Sequence, residues 1–163
     1  MPGQRRSAHI RGFTLVEALL VLAVLGVLAG LGVVTARPAL EMRAARAVRA
    51  LLLHARVEAM WTGAPVAVVE LPGGAGLAAR ASGAVPVCDS GGRTLATVRL
   101  RDFPGVTLAR GLRSGGLYWL PSGSGRDCDG GGVISGTLEL RGPFGSAAVV
   151  VSSLGRVRVE AGP

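Results

Sequence analysis

The hydrophobic pattern begins with one long apolar run, from Phe13 to Ala36, in which Glu17 is the only ionisable residue. A helix rises about 1.5 Å per residue, so a run of 24 residues extends about 36 Å, enough to cross a hydrocarbon core of about 30 Å. Three arginines precede the run and would keep that flank in the cytoplasm. The pattern predicts a transmembrane helix over residues 13–36.

After Pro38 the apolar residues recur at helical spacing, and the arginines fall largely on other sides of the helical wheel. The pattern predicts an amphipathic helix over residues 37–62 that continues the membrane helix and packs one face on a globular domain. Gly63 and Pro65 end this helix. Its predicted apolar positions are Leu40, Ala44, Ala47, Val48, Leu51, Leu52, Ala55 and Ala59.

Over residues 63–163 the pattern changes to short runs rich in β-branched residues, separated by Gly- and Ser-rich loops. Such spacing is typical of an antiparallel sheet or a small sandwich with a helix on one face. We therefore expect an α+β fold, with a long N-terminal helix packed on a β-rich globular domain. The predicted strands are VAVVEL, RTLATVRLRDF, GVTLA, LYWL, VISGTLELRG, AAVVVSSL and RVRVE.

The charge balance is strongly basic. All 18 basic residues are arginines, and the formal net charge is +8. Loss of residues 1–12 would leave 15 arginines against 10 acids, a net charge of +5. A basic face suggests polyanions or acidic surfaces as partners, although solvated charges in an arginine-rich composition explain the same balance.

The two cysteines, Cys88 and Cys128, lie in polar loops. In an oxidising compartment they would form a disulfide, which contributes about 3–4 kcal/mol in the chain-entropy model. Two cysteines without a nearby histidine are a poor zinc set. Asp127 and Asp129 lack the spacing of a calcium loop, so solvation explains them better.

No arrangement of residues indicates catalysis. The serines lie in loops without an available His–Asp partner set, and neither a phosphate-binding loop nor a dinucleotide fingerprint is present. His54 is expected on the surface of the second helix. We therefore expect a protein that is not an enzyme and that holds neither metal nor cofactor.

Three interpretations of the start of the chain compete. A secretory signal has an apolar core of about 7–15 residues, shorter than this run, and a plain membrane anchor leaves Glu17 unexplained. The third interpretation rests on RGFTLVEALLVLAVLGVLAG, residues 11–30, which resembles the type III signal of type IV pilins and pseudopilins. That resemblance implies a basic leader over residues 1–12, cleavage by prepilin peptidase between Gly12 and Phe13, and methylation of the new N-terminus.

Cleavage before Phe13 would explain why the apolar run contains Glu17. The new ammonium group would lie one helical turn from the carboxylate, which can also face the ammonium group of an adjacent subunit. In the low dielectric of a packed helical bundle an unpaired charge is costly, whereas a paired charge fixes the register. Glu17 is therefore predicted to act in assembly.

A wider resemblance covers nearly all residues from 13 to 160. The chain contains HARVEAMWTGAPVAVVEL, RDFPGVTL, LYWLPSGSG and VVVSSLGRVRVE in the order found in the GspH/FimT branch of minor pilins and pseudopilins. The resemblance implies a pilin-like fold, in which the distal half of the long helix packs on antiparallel β-sheet, and assembly with other pilins into a filament. It also implies a single-pass inner-membrane protein whose globular domain lies in the periplasm, and at the cell surface after assembly.

This branch divides by function. FimT-type members belong to type IV pilus systems, and some bind DNA in natural transformation through a Gly-Arg-x-Arg motif, here Gly155-Arg156-Val157-Arg158. In a strand, Arg156 and Arg158 share one face, and their guanidinium groups suit the phosphates of double-stranded DNA without reading its sequence. Three arginines in neighbouring loops would extend the patch if the fold brings them together: Arg110, Arg113 and Arg126.

Other roles fit the same motif. GspH-type members lie near the tip of the type II secretion pseudopilus, so one alternative is a structural minor pseudopilin that binds no DNA. The alternation of Arg156, Val157 and Arg158 is also what a terminal strand with one solvated face produces. A further alternative is an unprocessed periplasmic domain with a membrane anchor.

The predicted role of Glu17 is testable. Replacement Glu17→Ala removes the carboxylate but leaves the Gly12–Phe13 junction intact, so we expect normal processing and impaired incorporation into filaments. Immunoblots of sheared filaments and of membranes measure both quantities. Normal incorporation of the variant would refute the role.

Overall fold

A computed structural model describes residues 15–35, 40–81, 88, 92–129 and 132–162. The chain divides into two compact units, Met1–Arg37 and Pro38–Pro163. The leader, the Gly12–Phe13 junction and the link over residues 36–39 lie outside the described residues. Cleavage and the continuity of the two predicted helices therefore stay predictions.

The first unit contains helix α1, Leu15–Thr35, with Glu17 in its first turn. Its side chains are described as far as Leu28, and the large apolar ones are 44–78% exposed in the single chain. A helix that is apolar on every side requires an apolar environment, in a bundle or in a membrane. Within the described ranges, no helix combines the length and the hydropathy expected of a membrane span, so the span over residues 13–36 stays a prediction.

The second unit begins with helix α2, Leu40–Thr62. It ends before Gly63, whose φ of 66° is a left-handed value that commonly terminates helices. One face of α2 is buried at the predicted helical spacing, while Leu40 and Ala47 are half-buried. The buried residues are Glu41, Ala44, Ala45, Val48, Leu51, Leu52, Ala55 and Ala59.

Nine strands follow α2 in the described part of the chain: β1 Val66–Glu70, β2 Gly76–Ala81, β3 Arg93–Arg99, β4 Thr107–Arg110, β5 Gly116–Trp119, β6 Gly125–Asp127, β7 Gly136–Gly142, β8 Gly145–Val151 and β9 Val157–Ala161. They form two antiparallel sheets. The first has the order β3-β2-β1-β5-β6, and the second has the order β4-β7-β8-β9. Strand β9 is therefore an edge strand, paired only with β8 among the described strands.

Helix α2 packs against strands of both sheets, and the hydrophobic core lies between the helix and the sheets. Trp119 of β5, Leu77 of β2 and Leu138 of β7 are fully buried there together with Leu52 of α2. The predicted α+β class, with a helix on antiparallel sheet, is confirmed. The single helix packs on both sheets, because its apolar face is wide enough to contact both.

Two strands lie where the sequence predicts loops. Strand β2, with the sequence GLAARA, has low intrinsic β-propensity, but it pairs with β1 on one side and β3 on the other. Leu77 and Ala79 of this strand belong to the core. Strand β6 is a three-residue segment of the Gly-rich loop and forms by pairing with β5. In both cases tertiary hydrogen bonding overrides local preference.

Glu41 connects the start of α2 to the turn between β7 and β8. Its side chain is 1% exposed, and its Oε1 accepts a hydrogen bond from the backbone N–H of Phe144 at 2.8 Å. Gly142 leaves room for this carboxylate, because a Cβ at position 142 would overlap it. A buried carboxylate is costly unless it is hydrogen-bonded, and of its two oxygens only Oε1 has a partner among the described residues. This bond connects the first turn of α2 to the second sheet.

The predicted disulfide is present. Cys88 and Cys128 are bonded, with a Cα–Cα distance of 5.7 Å. The bond joins the segment that precedes β3 to the end of β6. Strands β3 and β6 are the two edge strands of the first sheet. It therefore links the two sides of that sheet outside the hydrogen-bonded ladder.

Reduction of this disulfide should lower the free energy of unfolding. The bonded residues are 40 positions apart, for which the chain-entropy model gives about 4 kcal/mol. Urea denaturation of the full chain in nonionic detergent, followed by tryptophan fluorescence with and without dithiothreitol, measures the change. The double variant Cys88→Ser/Cys128→Ser is the control and should not respond to dithiothreitol. An unchanged wild-type midpoint in dithiothreitol would contradict the expectation.

Candidate nucleic-acid interface

The turn between β8 and β9 presents the Gly-Arg-x-Arg motif. The N–H of Gly155 donates to the carbonyl oxygen of Ser152 at 2.8 Å, and the N–H of Ser152 donates to the carbonyl oxygen of Arg156 at 2.9 Å. The hydroxyl oxygen of Ser152 accepts a further hydrogen bond from the N–H of Arg156 at 3.1 Å. The backbone just before β9 is therefore held by three hydrogen bonds.

Gly155 is buried within this turn and has a φ of 74°. A Cβ at this position would lie 3.0 Å from Cζ3 of Trp119 and 3.3 Å from the carbonyl oxygen of Gly123. Only glycine adopts this conformation at low cost and fits the space. In this structure Gly155 therefore permits the close approach of the protein's own turn and tryptophan ring.

Arg156 and Arg158 are both exposed, whereas Val157 is 5% exposed and Val159 is half-buried. Their side chains therefore alternate in the way that the sequence pattern predicts, with the arginines facing away from the core. In the described part of the chain, neither guanidinium group makes a hydrogen bond or an ion pair. Both groups remain available to an external anion.

Two arginines of α2 hold the edge of β9. The Nη1 of Arg56 donates to the carbonyl oxygen of Gly155 at 3.0 Å, and its Cζ lies 5.6 Å from the ring centroid of Trp119. The Nε of Arg49 donates to the carbonyl oxygen of Val157 at 3.3 Å. Because an edge strand leaves carbonyl groups without sheet partners, these contacts attach β9 to the helix.

Between α2 and β9 lie two adjoining depressions, which we call the arginine groove. One, of about 440 Å³, is lined by Arg46, Arg49, Val157, Arg158 and Val159. The other, of about 350 Å³, is lined by Arg49, Leu53, Arg56, Leu154, Gly155, Arg156 and Val157. Five arginines and no carboxylate therefore line the groove. A surface of this kind attracts phosphates through charge-assisted, bidentate hydrogen bonds.

The three arginines that sequence suggested as an extension of the patch do not line the groove. Arg110 ends β4, at the edge of the second sheet opposite to β9. Arg113 lies between β4 and β5, and Arg126 is half-buried on β6 in the first sheet. The strand order separates them from the motif.

The arginines that do join the motif come from α2, where the sequence pattern predicts them only on the polar side of the helix. Arg43, Arg46 and Arg49 recur every third residue, and Arg56 follows one heptad after Arg49. This repeat is a sequence signal for one basic stripe. Their proximity to β9 depends on how α2 packs, which the repeat does not specify.

Among the remaining predicted site residues, those of the second unit do not line the groove. Glu17 is exposed in the first turn of α1, and His54 is exposed on α2. Asp127 and Asp129 flank the disulfide at Cys128. Among the described residues no group of three or more histidines, cysteines or carboxylates is arranged to hold a metal ion.

Comparisons with known proteins identify the N-terminus and the fold. The prokaryotic N-terminal methylation motif matches residues 7–33. The type IV minor pilin FimU of Pseudomonas aeruginosa is 20% identical, with a TM-score of 0.55 over 74% of this chain and 87% of that chain. The minor pseudopilin EpsH of the type 2 secretion system of Vibrio cholerae is 20% identical, with a TM-score of 0.55 over 74% of this chain and 96% of that chain. No curated protein sequence matches the chain significantly.

The chain therefore carries a prokaryotic N-terminal methylation motif and has a pilin-like fold, shared with FimU and EpsH. The fold that the resemblance implies is confirmed.

Replacement Gly155→Ala should destabilise the second unit by about 2–5 kcal/mol, because the left-handed φ and the crowded site both penalise a Cβ. Gly63→Ala is a matched control, since Gly63 has a similar φ of 66° but no atom within 4 Å of the place where its Cβ would lie. It should cost only about 1–2 kcal/mol. Urea denaturation measures both values, and equal losses would contradict the role of the contact with Trp119.

Proposed function

We propose that this protein is a minor subunit of a type IV pilus system that binds double-stranded DNA without sequence specificity, for uptake in natural transformation. Arg156 and Arg158 make the principal phosphate contacts. The observation that carries the proposal is that both guanidinium groups are exposed side by side, without partners among the described residues, in a groove lined by further arginines. This role requires binding and assembly but no catalytic step.

The subunit role rests on the methylation motif at residues 7–33. Prepilin peptidase would cut between Gly12 and Phe13, and α1 would hold the subunit in the inner membrane before assembly, with the second unit in the periplasm. In the filament, the exposed apolar surface of α1 packs against other pilins. Glu17 would pair with a new N-terminal ammonium group and fix the register of neighbouring helices.

A second candidate is a structural minor pseudopilin of a type II secretion system that binds no DNA. The likeness to EpsH supports this second candidate. The TM-score of EpsH equals that of FimU, and the match covers 96% of the EpsH chain. In that role the arginines of the groove would face solvent or another subunit. The two candidates differ in one measurable property, which is affinity for DNA.

A gel-shift of the full chain in nonionic detergent on a random 30-bp duplex tests the proposal. We expect binding at 50 mM NaCl that weakens about tenfold or more at 200 mM, since each neutralised phosphate contributes about 0.9 to the slope of log affinity against log salt. The double variant Arg156→Ala/Arg158→Ala should lose most of this affinity and about two units of slope.

The control is Arg93→Ala/Arg99→Ala, which removes two exposed arginines from β3 in the other sheet. It changes the net charge by the same amount and should bind DNA as the wild type does. If the wild type gives no shift at 50 mM NaCl, DNA binding is refuted and the structural role is favoured. Equal losses in the two double variants would refute the assignment to β9.

A further inference from the structure

The arginine groove has two walls, and only one of them carries the Gly-Arg-x-Arg motif. Arg46 and Arg158 line the same depression, and Arg56 and Arg156 line the adjoining one. Arg49 lines both. Helix α2 and strand β9 therefore run antiparallel along the groove, and each end of it has an arginine from both walls.

We propose that the α2 wall is part of the binding site, so that one phosphodiester backbone lies along the groove and contacts Arg46 and Arg49 as well as Arg156 and Arg158. This inference rests on the proposed DNA-binding function and deepens it. It assigns binding residues on a second element and gives the direction of the bound strand, parallel to the axis of α2.

The spacing of the arginines fits a backbone of this direction. The positions of Arg46 and Arg56 are separated by about 15 Å along a helix that rises about 1.5 Å per residue. One strand of B-DNA advances about 3.4 Å per nucleotide along the helix axis, and the path along its winding backbone is longer, so the α2 wall is long enough to meet more than one phosphate. On the other wall, Arg156 and Arg158 lie about 7 Å apart along the strand, far enough to contact different phosphates.

The arginines of the groove differ in how far their donors are already used. The Arg56 side chain is half-buried, donates to Gly155 and lies over the Trp119 ring, so it holds the turn in position. Arg49 is exposed, and its Nε donates to the carbonyl oxygen of Val157. This hydrogen bond orients the rest of the guanidinium group. Arg46 is exposed and makes no hydrogen bond or ion pair in the described part of the chain.

On β9, the positive charge of the groove is followed by one negative charge, that of Glu160. Glu160 is exposed two residues after Arg158, on the same face of the strand, and it lines neither depression. A phosphate backbone would be repelled beyond this end of the groove. The groove also lacks the Asn and Gln side chains that pair with adenine, since the chain has no Asn and its only Gln is Gln4. Readout of adenine by a carboxamide is therefore excluded, and the proposed arginine contacts go to phosphates.

Salt titrations of single variants test the α2 wall. The full chain in nonionic detergent is titrated onto a fluorescent 30-bp duplex by anisotropy between 50 and 200 mM NaCl. Arg46→Ala should weaken binding about 5–10-fold at 100 mM NaCl and reduce the salt slope by about one unit. Arg158→Ala should behave in the same way, and Arg46→Lys should retain the slope because it retains the charge.

The matched control is Arg43→Ala. Arg43 is exposed on the same helix, three residues before Arg46, and lines neither depression. Its loss removes the same charge, so a general effect of net charge would weaken both variants equally. We expect Arg43→Ala to bind within about twofold of the wild type. Glu160→Gln should strengthen binding, because it removes the carboxylate nearest to Arg158 on β9.

Three outcomes of these titrations decide whether the α2 wall is part of the binding site. If Arg46→Ala matches Arg158→Ala in slope and Arg43→Ala matches the wild type, the α2 wall is part of the site. If Arg158→Ala weakens binding while Arg46→Ala equals Arg43→Ala, the α2 wall is refuted and DNA binding through β9 stands. If the wild type does not bind at 50 mM NaCl, the proposed function fails and the inference fails with it. Tryptophan fluorescence checks that each variant is folded.

Discussion

The attachment of β9 to α2 is the contact on which the arginine groove depends. Edge strands expose carbonyl groups that have no sheet partner, and here Arg56 and Arg49 donate to the carbonyl oxygens of Gly155 and Val157. The ring of Trp119 lies beneath Arg56 and adds a cation–π contact. These interactions bring an arginine-bearing helix face beside an arginine-bearing strand, an arrangement that charge repulsion alone would oppose.

The arginines of the groove consequently have different tasks. Arg56 is half-buried and stabilises the turn, whereas Arg46, Arg156 and Arg158 are exposed and uncommitted among the described residues. Exposure keeps their mutual repulsion small, because water and salt screen it. A polyanion in the groove would replace that screening by direct contacts and release its own counterions. The same arrangement is therefore tolerable without a ligand and favourable with one.

The two units of the chain require different surroundings. The side chains of α1 are apolar on every side, and Glu17 is the only charge in the helix, so this unit is suited to packing with other apolar helices. The second unit has its own core beneath α2 and presents its charge to water. A methylation motif over residues 7–33 and a fold shared with FimU and EpsH are consistent with this division of tasks.

The sequence by itself determined the features that depend on neighbours in the chain: the apolar face of α2, most of the strands, and the alternation of Arg156 and Arg158 with buried Val157. Tertiary structure alone decided which distant residues meet. Strand β2 forms from an Ala-rich segment because β1 and β3 supply its hydrogen bonds, and long-range pairing places Arg110 at the edge opposite to β9. Arg46 and Arg158, 112 positions apart in the chain, share a depression because α2 packs antiparallel to β9. Periodicity gives the face on which a side chain lies but carries no information about which element will pack beside it.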